Sequence, residues 1–198
     1  MKTLTQKESE ALLLLFKDFS KNYNANSISS VLEITPRGAL KILKGLKERN
    51  MLISKTFGKA VFYKINFKDN HTAKAVETLL MQEAKENASR WVSEFRELFE
   101  FAEVVILFGS SVRTPKKAND LDILIVVSQK NLDMVEEFVK TKNKILLNPI
   151  HPIYQSPNDI KNNLQKKQAV VINALRLGYI LHGYEKIMEA VKNATSFE

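Results

Sequence analysis

Val104-Val105-Ile106-Leu107-Phe108-Gly109-Ser110-Ser111, followed after a polar spacer by Asn119-Asp120-Leu121-Asp122-Ile123-Leu124-Ile125-Val126-Val127, is the stretch on which the reading of this chain turns. The first five residues form an apolar run of the kind that makes a strand buried on both faces. The second run is equally apolar but opens on two aspartates. On a strand, residues two apart face the same side, about 7 Å from each other along the chain. Asp120 and Asp122 are therefore predicted to project together, while Leu121, Ile123 and Ile125 enter the core. Two carboxylates so close repel, and a divalent cation between them neutralises both. Oxygen-only ligands suit Mg2+ or Mn2+, and such an ion can bridge nucleotide phosphates. Gly109 would let the backbone approach a phosphate closely, Ser110 adds a hydroxyl, and a helix starting there would present free N–H groups to an anion.

The Gly-Ser turn, a spacer of this length and the Asp-x-Asp strand together resemble the nucleotidyltransferase superfamily of the DNA polymerase β type, in its minimal nucleotidyltransferase branch. The resemblance implies a small mixed sheet flanked by helices over residues 102–198. It implies that Gly109, Ser110, Ser111 and Arg113 hold the phosphates of an NTP, with Lys116 and Lys117 weaker candidates in the spacer. It also implies that Asp120 and Asp122 bind Mg2+ (or Mn2+) as the catalytic pair. The acceptor would be a hydroxyl on a protein or small molecule, and members of the family often act as antitoxins paired with a helical toxin. Active members carry a third carboxylate on a later strand. The strand expected here, Lys144 to Tyr154, has no Asp or Glu, and Asn148 or His151 stands nearest to that place. The alternative to a metal site is a pair of aspartates capping a strand entrance.

Upstream, the period changes. Leu12, Leu15, Phe16 and Phe19 follow the spacing of one helix face. Asn22 to Asn26 interrupts it, and Ser27 to Leu32 predicts a short second helix. Thr35-Pro36 has the form of an N-cap followed by proline at the first helical position. Ala39, Ile42, Leu43 and Leu46 then define the buried face of a third helix ending at Asn50. Met51 to Lys55 and Val61 to Phe67 read as two strands joined by a turn at Phe57-Gly58-Lys59. Three helices and a hairpin is the winged-helix order, and residues 1–68 resemble the winged helix-turn-helix domains of bacterial and archaeal regulators. The resemblance implies that Arg37, Lys41 and Lys44 face the major groove of double-stranded DNA. Lys55 and Lys59 would touch phosphates from the wing, with Ser29, Ser30 and Thr35 as neutral phosphate contacts. Such modules usually read paired half-sites, so a homodimer is expected. Residues 69–101 read as a helical connector of one helix or two, and the rest of the chain beyond Gln168 as helical, with His182-Gly183 a C-terminal cap.

Charge placement agrees with this division. Residues 1–68 hold thirteen Lys and Arg against five Asp and Glu; residues 69–198 hold seventeen of each. The whole net charge of +8 lies in the first third, which points to a polyanion partner for that part alone. Without cysteine no disulfide scaffold or thiolate site forms. His71, His151 and His182 lie far apart in sequence, which argues against zinc. No apolar run is long enough to span a bilayer, and the cytoplasm is the expected location. The chain is thus expected to be α+β or α/β, a winged helix, a connector and a nucleotidyltransferase-like domain. Three functions remain open: an NMP transferase under DNA-linked control, a transcriptional regulator whose degenerate transferase domain binds nucleotide or mediates dimerisation, and a scaffold that binds no metal.

Overall fold

The computed structural model describes residues 3–114 and 117–197, so Lys116 lies outside the described residues. The chain divides into two compact units. The first runs to Leu79 and takes in the tail from Thr195; the second is Leu80–Ala194.

In the first unit, helix α1 (Gln6–Lys17) begins with a capping box, in which Thr5 Oγ1 accepts from the Glu8 amide and the Glu8 carboxylate accepts from the Thr5 amide. The same carboxylate pairs with Arg49 at 3.2 Å. Asn24 and Ser27 form a second reciprocal cap at the start of α2 (Ala25–Val31). Helix α3 (Pro36–Glu48) starts where Thr35 accepts from the Gly38 amide, with Pro36 in the first turn. Ala39, Leu43 and Leu46 of α3 are fully buried, as are Leu12, Phe16 and Ile28 of the helices before it. The backbone then extends into β1 (Leu52–Phe57) and turns at Gly58, whose φ is +58°, into the antiparallel β2 (Ala60–Ile65). Helix–helix–helix–hairpin is the winged-helix arrangement. Two details depart from the sequence expectation. Strand β2 does not alternate cleanly: Tyr63, Lys64, Ile65 and the following Asn66 are all buried. Lys64 donates to the carbonyl of Phe19 at 3.1 Å, which makes a lysine tolerable there. The tail also returns to this unit, where the ring of Phe197 lies 6.5 Å from that of Phe57 and beneath the Lys64 ammonium.

Segment α4 (Asn70–Glu94) is two helices meeting at a kink at Ala88, whose backbone is non-helical. In the second unit, β3 (Val104–Phe108) and β4 (Leu121–Val126) pair antiparallel around the one-turn helix α5 (Ser110–Arg113). Helix α6 (Leu132–Asn143) leads to β5 (Ile150–Gln155), which pairs parallel with β4. This strand begins six residues later than the Lys144 start expected, because Asn143 fixes its first residue: its Oδ1 accepts from the Ile150 amide and its Nδ2 donates to the Ile150 carbonyl. Pro152 lies within β5, which is an edge strand and so can accommodate a residue that lacks an N–H.

After α7 (Pro157–Gln165) and α8 (Ala169–Leu177) the expectation of continuous helix is corrected. Tyr179–His182 is a strand, β6, antiparallel to β3, and Gly183 (φ +81°) leads into α9 (Tyr184–Ala194) rather than capping a helix end. The apolar run Tyr179–Leu181 completes the sheet order β5-β4-β3-β6. One face of this sheet, with Val105, Leu107, Ile123 and Ile125, packs on Phe95, Leu98, Val135 and Phe138. On the other face Ile106, Leu124 and Val126 are also buried, with α8 and α9 packed on β3.

His182 ends β6 with its ring stacked on Phe99, centroids 4.8 Å apart. Burial, helped by the nearby Lys186 cation and opposed by a backbone hydrogen bond with Ala102, lowers its pKa from the usual 6.5. A histidine held neutral in the fold protonates more readily when unfolded. Its contribution is therefore complete above about pH 6.5 and declines as pH falls below that value. Urea midpoints of the protein should drop between pH 7 and 5.5, and His182→Phe should flatten that drop. An equal slope in the variant would remove His182 as its source.

Candidate functional site

The strand pairing assembles one candidate site at the end of the sheet where β3 finishes and β4 begins. Asp122 is opposite Phe108 on one side and His151 on the other. It lies on the same face as Leu124 and Val126, but those are buried while Asp122 is half-buried, so this face is polar only at its start. Asp120 sits just before β4, one-third exposed, with its Oδ2 3.2 Å from His151 Nδ1. One donor atom from each of Asp120, Asp122 and His151 can be chosen so that all lie within 4.8 Å of one another. The set is of metal-ligand type, two carboxylate oxygens and one imidazole nitrogen. Among the described residues, no Lys or Arg comes within ion-pair distance of either aspartate.

Gly109 forms the wall of this site. Its φ of +77° belongs to the region that favours glycine, and a Cβ built there would fall inside the Asp122 carboxylate. The glycine is required by the aspartate beside it as well as by the turn. Ser110 directs its hydroxyl to Asp120 Oδ1 at 3.4 Å, a long contact. Ser111 is buried, and its hydroxyl donates to the Phe108 carbonyl at 2.9 Å, so it closes the turn from inside. Arg113 is exposed and its Nε reaches back to the Gly109 carbonyl at 3.4 Å. Helix α5 has four residues, too short for the aligned amides expected of a helix starting at Ser110. Lys117 is exposed.

Of the two residues expected nearest the third-carboxylate position, Asn148 is taken up elsewhere: it lies before β5 and donates to the Ala118 carbonyl at 2.8 Å, tying down the spacer. His151 occupies the position facing the aspartates. Asp159, the next acid in the chain, accepts from the Ser156 hydroxyl and amide as part of a helix cap, which lowers its pKa.

The second cluster lies on the first unit. Arg37, Lys41 and Lys44 are spaced i, i+4, i+7 on α3, form one stripe and are all exposed. Lys47 extends the basic surface. Lys55 and Lys59 lie on the hairpin, Lys55 with its ammonium 4.8 Å from the Phe57 ring centre. Leu40 of α3 and Lys59 of the hairpin turn line one shallow groove with Asn24 and Asn26, so the third helix and the wing open onto a common surface. Of the neutral contacts expected, Ser29 is buried and donates to the Asn26 carbonyl, Ser30 donates to the same carbonyl, and Thr35 serves as the α3 cap.

Compared with known protein families the sequence matches none, and it matches no curated protein. Solved structures with partly similar chain paths include the adhesin competence repressor AdcR of Streptococcus pyogenes, at 15% identity over 74% of this chain and 82% of that one, TM-score 0.35. ZitR of Lactococcus lactis, described as a zinc-responsive MarR family member, is 14% identical over 72% of this chain and 76% of its own, TM-score 0.33. A ZitR variant in complex with DNA is 17% identical over 72% and 75%, TM-score 0.33.

Gly109→Ala is expected to lower stability by at least about 2 kcal/mol, from backbone strain and from collision with Asp122. Gly58→Ala, also at positive φ but facing open space, should cost about 1 kcal/mol. Chemical denaturation of both variants checks this; equal losses would mean that Asp122 swings away freely.

Proposed function

We propose that this chain is a DNA-binding regulator whose second unit binds a nucleotide through a divalent cation and works as a sensor rather than as an NMP transferase. The observation that carries the DNA reading is the exposed stripe of Arg37, Lys41 and Lys44 on the third helix of a winged-helix arrangement. Cations spaced along such a helix suit the phosphates and guanine edges of the major groove. A homodimer on paired half-sites follows from the same reading. No helix among the described residues is long and apolar enough to cross a membrane.

The sensor reading rests on His151. The transfer reaction would use a third carboxylate at that place as an anionic metal ligand, and a neutral imidazole supplies no such charge for a second Mg2+. Binding needs less: the Ser110 hydroxyl beside Asp120 and Asp122, with Arg113 near, still offers a polar contact and a cation site. That intact part favours the second reading, in which Mg2+-dependent transfer to a protein hydroxyl, in an antitoxin-like pairing, survives the replacement.

Lys41→Ala with Lys44→Ala should weaken DNA binding and make log K fall less steeply with log salt, by about 0.9 for each phosphate that is no longer neutralised. An unchanged slope and affinity would remove α3 as the DNA face. NTP binding measured by calorimetry should depend on a divalent cation and vanish in Asp120→Ala/Asp122→Ala, with no NMP found on co-purified proteins by mass spectrometry. NMP transfer abolished in that variant would replace the sensor by the transferase.

A further inference from the structure

We propose that Asp120, Asp122 and His151 form a site selective for a first-row transition-metal dication of the Zn2+ and Co2+ class over Mg2+. This deepens the sensor reading by naming the ion, and the ion's affinity is measurable with no nucleotide present.

The sequence alone points to oxygen ligands, because the two aspartates are adjacent on one strand and no histidine lies near them in the chain. Parallel pairing of β5 with β4 changes the donor set. The register places His151 opposite Asp122, and its Nδ1 comes to 3.2 Å from Asp120 Oδ2. Two ligands each about 2.1 Å from a shared ion stand about 3.0 Å apart at an octahedral angle and about 3.4 Å apart at a tetrahedral one. The observed edge falls between these, so the ion would fit with little movement of that pair. The second aspartate completes a set of three whose donor atoms lie within 4.8 Å of one another.

Donor chemistry then selects the ion. Mg2+ favours six oxygens and gives up its waters reluctantly, and an imidazole is a poor exchange for one of them. Imidazole with carboxylates suits Zn2+, Co2+ and Fe2+, whose affinity for nitrogen rises along the first row. Three protein ligands with further positions open is the form of a zinc site that still accepts an outside ligand. Charge agrees: among the described residues neither Asp120 nor Asp122 has a Lys or Arg partner, and Asp120 is met by His151 and Ser110. The site is accessible, with the His151 side chain 62% exposed. Once bound, such an ion supplies positive charge for nucleotide phosphate oxygens. The competing account is a histidine–aspartate hydrogen bond with no role in metal binding.

The test is titration of the metal-free full chain with Co2+, followed by visible absorption, and with Zn2+ by calorimetry, each with Mg2+ as competitor. One equivalent of Co2+ should bind with new d–d bands, displaced by Zn2+ and not by a large excess of Mg2+. His151→Ala is a surface change, checked for folding by circular dichroism, and should lose the bands and about tenfold or more in Zn2+ affinity while weak Mg2+ binding stays. Asp122→Asn should lose both ions, and His71→Ala should behave as wild type. Zn2+ binding unchanged in His151→Ala, or Mg2+ competing on equal terms, would overturn the proposal and leave an oxygen-only site able to serve a sensor. Co2+ bound as expected with no nucleotide recruited would overturn the sensor reading and leave the metal site standing.

Discussion

The register of three adjacent strands controls the second unit. β3, β4 and β5 are aligned so that Phe108, Asp122 and His151 come side by side. A slip of one residue in β4 would exchange its faces, burying Asp122 where Ile123 now lies and exposing Ile123 at the rim. Because Ile123, Leu124 and Ile125 are buried on both faces, the slip is opposed chiefly by the cost of burying the Asp122 carboxylate without a partner. Gly109 completes the arrangement, since only a residue without a Cβ allows the turn to pass so close to the aspartate.

The first unit works differently. Its basic residues need no mutual geometry beyond helical spacing, and their backbone is fixed by caps at Thr5, Asn24 and Thr35 and by the fully buried Ala39, Leu43 and Leu46 of α3. Exposed lysines on a rigid helix present a field and a set of donors, suited to a partner that is itself a regular array of charge. The carboxylate–imidazole cluster has the dimensions of a point site for a single small ion. The two units therefore differ in the size of what they can recognise.

How much of this is legible in the sequence follows the range of the interaction. Helical and strand periods locate α1, α3, β3 and β4, and the i, i+2 rule pairs Asp120 with Asp122, because each depends only on near neighbours. His151 carries no such local signal: only the family resemblance offers it, alongside Asn148, and its place beside Asp122 comes from parallel pairing across an intervening helix. Tyr179–His182 reads as helix for the same reason, since four residues between two helices acquire strand geometry only from the edge of β3. The buried Lys64 escapes because a lysine on a wing strand reads as solvated until the Phe19 carbonyl is brought to it. Residue type alone suggests outward roles for Ser29 and Ser111, whereas their hydroxyls satisfy nearby carbonyls inside the fold.

The return of Phe197 to the hairpin has a kinetic consequence. Lys64 and Phe197 are about 130 residues apart in the chain, and closing a flexible loop of that length costs entropy that one ring contact cannot offset. While the intervening segment is unfolded its radius is about 35 Å; once folded it is about 14 Å, and its two ends are confined together. The aromatic contact should therefore form last, after the sheet of the second unit exists. The final packing of the hairpin therefore depends on the folding of the chain between these two residues.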